Sequence, residues 1–176
     1  MVALLILLTA GFVAGVRFLR PAPRTLPDQI GQARAIRFSP DGSTLAVTSS
    51  DFPQERAARI QLWNVQTGKL LRTLPTFSYV AAPLFSPNGQ MVAALTQSSH
   101  PAHPSPGNVP QTEIRVWDVN SGRLVLQTTS VASVIAASLD FDASSEHLIE
   151  NGSAIKLWNL QTGKLEKTYT QHSYYF

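Results

Sequence analysis

No cysteine occurs among the 176 residues, which removes disulfide staples, thiol nucleophiles and thiolate metal sites together. Charge is also scarce, at 14% of the chain, and the formal net charge is only +3. Arg17, Arg20 and Arg24 carry that whole excess, because from Thr25 onward eleven basic residues face eleven acidic ones. Without a clustered basic stripe little counterion release is available, so the expectation is no nucleic-acid partner. Catalytic signatures are missing as well: there is no Gly-x-Ser-x-Gly elbow, no phosphate-cradling glycine loop and no His-Glu-x-x-His helix. His100 and His103 in "SHPAHPSP" have no Asp, Glu or Cys close by to complete a metal set, and they read as part of an exposed polar loop. Asp140, Asp142 and Glu146 lack the glycine-centred spacing of a calcium loop and read as solvated turn residues. "NGS" at 151–153 matches a glycosylation acceptor, but Asn-Gly between two apolar runs is first of all a turn. The chain therefore reads as a non-enzyme with no metal and no cofactor.

One long apolar run is present, "MVALLILLTAGFVAGV" at 1–16, and Phe18 and Leu19 extend it towards the roughly 20 residues that span a bilayer. A cleaved signal peptide would use small residues such as Ala14 and Gly15 near its end, and the chain would then be exported. Its basic start is missing, however, while three arginines follow the run. That arrangement favours an uncleaved single-pass anchor with the remainder in the cytoplasm. Residues 1–20 are assigned as anchor or signal segment, and 21–33, which include "PAPRTLP", as a proline-rich linker.

Beyond residue 33 the chain repeats itself. "IQLWNVQTGKLLRTL" (60–74) and "IKLWNLQTGKLEKTY" (155–169) share ten of fifteen positions, and "IRVWDVNSGRLVLQT" (114–128) is a looser third copy. Asp41-Gly42 and Asn88-Gly89 mark hairpin turns because these residues tolerate positive φ, and Gly68, Gly122 and Gly163 mark a second hairpin in every unit. Each unit thus predicts four antiparallel strands, and no long amphipathic helix interrupts them. The tryptophans stand 54 and then 41 residues apart, so extra length falls within the second unit as "QSSHPAHPSPGNVPQTE" (97–113). A shorter insertion, "SDFPQERAAR" (50–59), occupies the matching place in the first.

These phrases, "FSPDG", "FSPNG", "LWN" and "VWD", resemble those of the WD40 repeat β-propellers, particularly bacterial ones, over residues 25–176. The resemblance implies an all-β fold: three four-stranded blades over 34–176 in an incomplete, open propeller, preceded by an N-terminal hydrophobic helix. It makes Trp63, Trp117, Trp158, Asp118, Gly68, Gly122 and Gly163 structural blade residues. It places the two enlarged loops on one rim, with Phe52, Glu55, Arg56, Arg59, His100 and His103 as candidate binding residues. The family's buried His–Asp–Ser/Thr–Trp chain has no complete counterpart: Asp51 lacks its histidine, and His172 comes at the very end. The implied function is a protein-binding scaffold tethered to a membrane. The alternative is a ligand sensor or enzyme accessory domain with a pocket at the axis, where Ile36, Phe38, Leu84, Phe85 and Leu139 are expected. Closed propellers use roughly 4–8 blades, so three units predict further blades or self-association.

Overall fold

The computed structural model describes residues 32–50, 58–75, 79–97, 112–130, 137–152 and 154–170, and these form three antiparallel sheets. The first blade is β1 (Gln32–Phe38), β2 (Thr44–Ser50), β3 (Ala58–Asn64) and β4 (Leu70–Pro75), paired in that order. The third repeats the pattern with β10 (Ser138–Phe141), β11 (His147–Asn151), β12 (Ala154–Asn159) and β13 (Leu165–Thr170). The second blade departs from four strands. Its inner strand comes in two pieces, β5 (Tyr79–Val80) and β6 (Leu84–Phe85), and both pair with β7 (Met91–Gln97). Pro83, which has no N–H to donate, lies in the gap, so the ladder is broken there. β8 (Thr112–Asp118) and β9 (Leu124–Ser130) complete the sheet. The expected N-terminal helix at 1–20 and residues 21–31 of the linker lie outside the described residues, whereas Gln32 and Ala33, assigned to the linker, already pair with Ser50 and Ser49 as the start of β1. Among the described residues no helix is long and apolar enough to cross a membrane.

The β1–β2 and β6–β7 turns are built alike. Ser39 N–H donates to Thr44 O at 2.8 Å and Gly42 N–H to Ser39 O at 2.8 Å, while the Asp41 carboxylate accepts Ser39 Oγ at 2.5 Å. Both members of the Asp-Gly and Asn-Gly pairs were expected to be suited to positive φ, but only the glycines adopt it, at +70° and +71°. The third blade puts Ser145 at this place, with φ of +63°. A left-handed conformation costs a residue with a Cβ about 1–2 kcal/mol. The serine offsets part of that cost, because its buried Oγ accepts the Asn88 N–H of the second blade at 3.2 Å.

Alternation along the strands gives each blade two apolar faces, and neighbouring blades bury them against each other. Ala46, Ile60, Leu62 and Leu74 of the first blade meet Val80, Phe85, Val92 and Trp117 of the second. Ala93, Leu95, Ile114 and Val116 on the opposite face of the second meet Phe141, Leu148, Trp158 and Leu160 of the third. Phe85 was expected at the axis. It is buried between the first and second blades instead, while Leu84, its neighbour on the strand, packs on the opposite face against the third blade's cluster and lines a cavity with Arg37 and Leu139.

Candidate interaction surface

The antiparallel strand order sends the β2–β3 and β7–β8 connections to one rim and the tight Gly turns to the other. The sheet holds the loop stems firmly. Ser50 pairs with Ala58 and Gln97 with Thr112, so each enlarged loop leaves and re-enters the ladder at directly opposed residues. Arg59 sits on β3 beside the first stem, half-buried. Phe52, Glu55, Arg56, His100 and His103 lie outside the described residues. At the second stem Glu113 accepts Arg115 Nε at 2.9 Å, Arg115 Nη2 at 2.7 Å and Gln127 Nε2 at 3.2 Å, so that stem is braced by side chains as well as by backbone.

On the opposite rim three turns share one design. The Oδ1 of Asn64, Asp118 or Asn159 accepts the backbone N–H of Thr67, Ser121 or Thr162 at 2.7, 2.6 and 2.8 Å, and each turn closes with Gly68, Gly122 or Gly163 in the left-handed region. The hydroxyl and N–H of Ser121 hold the Asp118 carboxyl below its usual range, so it stays ionised and keeps its grip on the turn. At Gly122 the need is doubled, since a Cβ would lie 3.2 Å from Cδ of Arg72 in the first blade. Arg72 also donates from Nη2 to the Asn120 carbonyl, linking the outer strand of one blade to the turn of the next.

The three tryptophans occupy one register, opposite Leu45, Val92 and Leu148. Two residues away on the same face a cross-strand pair is solved differently in each blade. It is Val47 with Gln61 in the first, Ala94 with Arg115 in the second and Glu150 with Lys156 in the third. Glu150 is 1% exposed and fully engaged. It accepts Ser130 Oγ from the second blade at 2.5 Å, the Trp158 indole N–H at 3.3 Å and Lys156 Nζ at 3.3 Å. A carboxylate so enclosed has no route to a substrate. What it does is fasten the second blade to the third. Sequence reasoning missed it, although the signal was legible: an acid stands mid-strand in "HLIEN" where the other units carry Val47 and Ala94.

His147 was also missed. Its Nδ1 lies 3.0 Å from Asp142 Oδ2 and its Nε2 3.2 Å from Glu166 Oε2, which ties the β10–β11 turn to the outer strand. The Asp142 hydrogen bond, opposed by partial burial and aided by the nearby carboxylates, raises the imidazole above its ordinary value near 6.5. At Asp142 burial works against ionisation, but the hydrogen bonds from Ser144 and His147 outweigh it and hold the carboxyl far below the usual range. Because the fold favours the imidazolium, its stabilisation is fully present below the ordinary histidine pKa and is lost as pH rises through the raised one. The melting-temperature gap between the wild type and His147→Gln should therefore be widest near pH 5.5 and close towards pH 8.5. A gap that widened with pH would contradict this assignment. Among the described residues no cluster of three His, Cys, Asp or Glu could hold a metal.

On the axial side a cavity of about 250 Å3 is lined by Arg37, Pro83, Leu84, Ser138 and Leu139 among others. One guanidinium stands among largely apolar walls, and no acid or general base is among the lining residues.

No protein-family model matches the chain. Small ribosomal subunit protein RACK1 of Medicago sativa is 32% identical over 101 residues, which are 57% of this chain and 25% of RACK1. The chain thus corresponds to about a quarter of that relative's length. Among solved structures, the RRP9 WD40 repeats superpose with a TM-score of 0.62 at 20% identity, over 85% of this chain and 42% of that one. An acylaminoacyl peptidase of Pyrococcus horikoshii superposes at 0.60 and 14% identity, over 77% of this chain and 25% of the peptidase. The fold is that of WD40-type β-propeller blades.

Proposed function

We propose that the chain is a non-catalytic protein-interaction scaffold, tethered to a membrane by residues 1–20, whose partner engages the rim that bears the two enlarged loops. The observation that carries this reading is the pair of ladder-clamped stems at Ser50/Ala58 and Gln97/Thr112. Long loops on rigid elements are where binding residues concentrate, since the scaffold holds the stems while the loop chemistry varies. The likeness to RACK1 and to the RRP9 WD40 repeats supports a scaffold, and the neutral charge of the repeats favours a protein over RNA as partner. The axial cavity, with its single guanidinium, supports the sensor alternative less well. The arginines after the apolar run favour a cytoplasmic placement of the repeats.

Photo-crosslinking groups placed at Arg56 and His100 in the full-length protein should form discrete adducts in cells, whereas groups at Lys69 and Arg123 on the Gly-turn rim should not. Adducts from the turn rim alone would refute the proposed face. Extraction of the protein from membranes by alkaline carbonate would refute the tether.

A further inference from the structure

At the junction of the first two blades the β1–β2 and β6–β7 turns stand side by side, and a cavity of about 290 Å3 opens between them. Pro40 and Pro87 give it apolar walls, while Asp41, Asn88, Gln90 and Asn120 bring polar groups to it. Of the residues that line it, Asp41 alone carries a charge. The walls belong to two neighbouring blades, so the cavity does not depend on what precedes β1 or follows β13.

The two turns make the same bonds with different chemistry at one position. Asn88 Oδ1 accepts Ser86 Oγ at 2.7 Å and Gln90 N–H at 3.0 Å, just as Asp41 Oδ1 accepts Ser39 Oγ at 2.5 Å and Ser43 N–H at 3.1 Å. The turn therefore needs one acceptor oxygen, and a neutral amide supplies it. The negative charge of Asp41 is surplus to the turn. It also persists at neutral pH, because the Ser39 hydroxyl first, and then Ser43, lowers the carboxyl to about 2. At the junction of the second and third blades, by contrast, a side chain crosses the gap: Ser145 Oγ accepts the Asn88 N–H at 3.2 Å. Gly89 holds that position in the second blade, and even an added Cβ there would stay 3.7 Å from Pro40 Cδ.

We propose that this cavity binds a primary alkylammonium group, carried by a free amine or a lysine side chain, with its charge on Asp41 and its methylenes between the two proline rings. Size and hydrogen-bond capacity both select that chemistry. At about 290 Å3 the space falls just below the roughly 300–1,000 Å3 of pockets for drug-sized ligands, so it suits a short chain of a few heavy atoms. Of the roughly four acceptor positions on a carboxylate, Asp41 has two filled on Oδ1 and one on Oδ2, the last by Ser43 Oγ at 2.7 Å. A guanidinium fork needs a free place on each oxygen, whereas an ammonium needs only one. The side-chain oxygens of Gln90 and Asn120 are at hand for its other N–H donors.

The test titrates n-butylammonium, at constant ionic strength, into the isotope-labelled full-length protein, detergent-solubilised if membrane-bound. The backbone amide signals of Asp41, Gly89 and Asn120 should shift saturably with a Kd of about 1–10 mM, the affinity open to so small a ligand. Asp41→Asn should weaken binding about tenfold or more, since it removes a charge-assisted bond, yet leave distant amide signals in place, because Asn88 closes the same turn with an amide. Gly89→Ser, which copies Ser145, should fill the gap and also abolish binding. Butylguanidinium should bind at least about threefold more weakly than butylammonium. Shifts that do not saturate by about 50 mM, binding that survives Asp41→Asn, or a guanidinium held as tightly as the ammonium would overturn the proposal. Nα-acetyl-lysine methylamide bound as tightly as butylammonium supports a lysine side chain as the occupant, and binding about tenfold weaker supports a free amine. Loop-rim crosslinks report on the scaffold reading separately, so either idea can fail alone.

Discussion

Replacing Trp117 with alanine should lower the unfolding free energy by about 4 kcal/mol, the usual range for emptying a tryptophan site in a packed core. Trp117 is 2% exposed and lies in one cluster with Leu62, Leu74, Val80 and Phe85, so truncation opens a cavity between the first and second blades. A domain with about 5–15 kcal/mol of stability could lose most of its margin. Urea titration at fixed protein concentration reads the effect directly. A loss below about 1 kcal/mol would mean that the two blades stand independently and their contact contributes little.

Glu150→Ala should cost about 3 kcal/mol by a different route. It leaves the Trp158 N–H and Ser130 Oγ without their shared acceptor and Lys156 without its counter-charge, at a place where the acid is 1% exposed. Lys156 retains some contact with water, its side chain being 15% exposed, which keeps the loss at the lower end of what broken buried pairs show. Glu150→Gln keeps the shape and much of the acceptor capacity and should lose about 1 kcal/mol. The decisive comparison is the double variant Glu150→Leu/Lys156→Met, expected to recover much of the single-variant loss because no unpaired charge is left buried. A double variant less stable than Glu150→Ala would show that the ion pair itself adds net stability.

Much of the fold was legible because it is written three times. The "LWN" and "VWD" strands, the Gly turns at 68, 122 and 163 and the hairpins at Gly42 and Gly89 stand where periodicity put them. What escaped detection was non-local. Strand alternation alone does not say which residues of an inner strand a neighbouring blade covers, and Phe85 was misplaced for that reason. The role of Glu150 depends on Ser130, twenty residues earlier and in another sheet, and no local pattern announces that pairing. The split inner strand of the second blade had a readable cause in Pro83, but the phrase "APLFSPNG" also fits an unbroken run. "DFDASSEH" offers no glycine for its turn, and Ser145 takes the left-handed conformation there while its Oγ accepts the Asn88 N–H.

The near-identity of the outer hairpins in the first and third blades raises a hazard during synthesis, because either could add to the β2 or β11 ribbon with almost the same backbone fit. The Val47–Gln61 and Glu150–Lys156 pairs tell them apart. If β12 paired with β2, the Lys156 ammonium would lie against Val47. If β3 paired with β11, Glu150 would be sealed opposite an uncharged amide. Each exchange strands a charge in the interior, so the wrong assembly is penalised by several kcal/mol while the right one is almost neutral. The pair acts as an address label, and it allows a chain to repeat its most useful phrase without losing track of which copy belongs where.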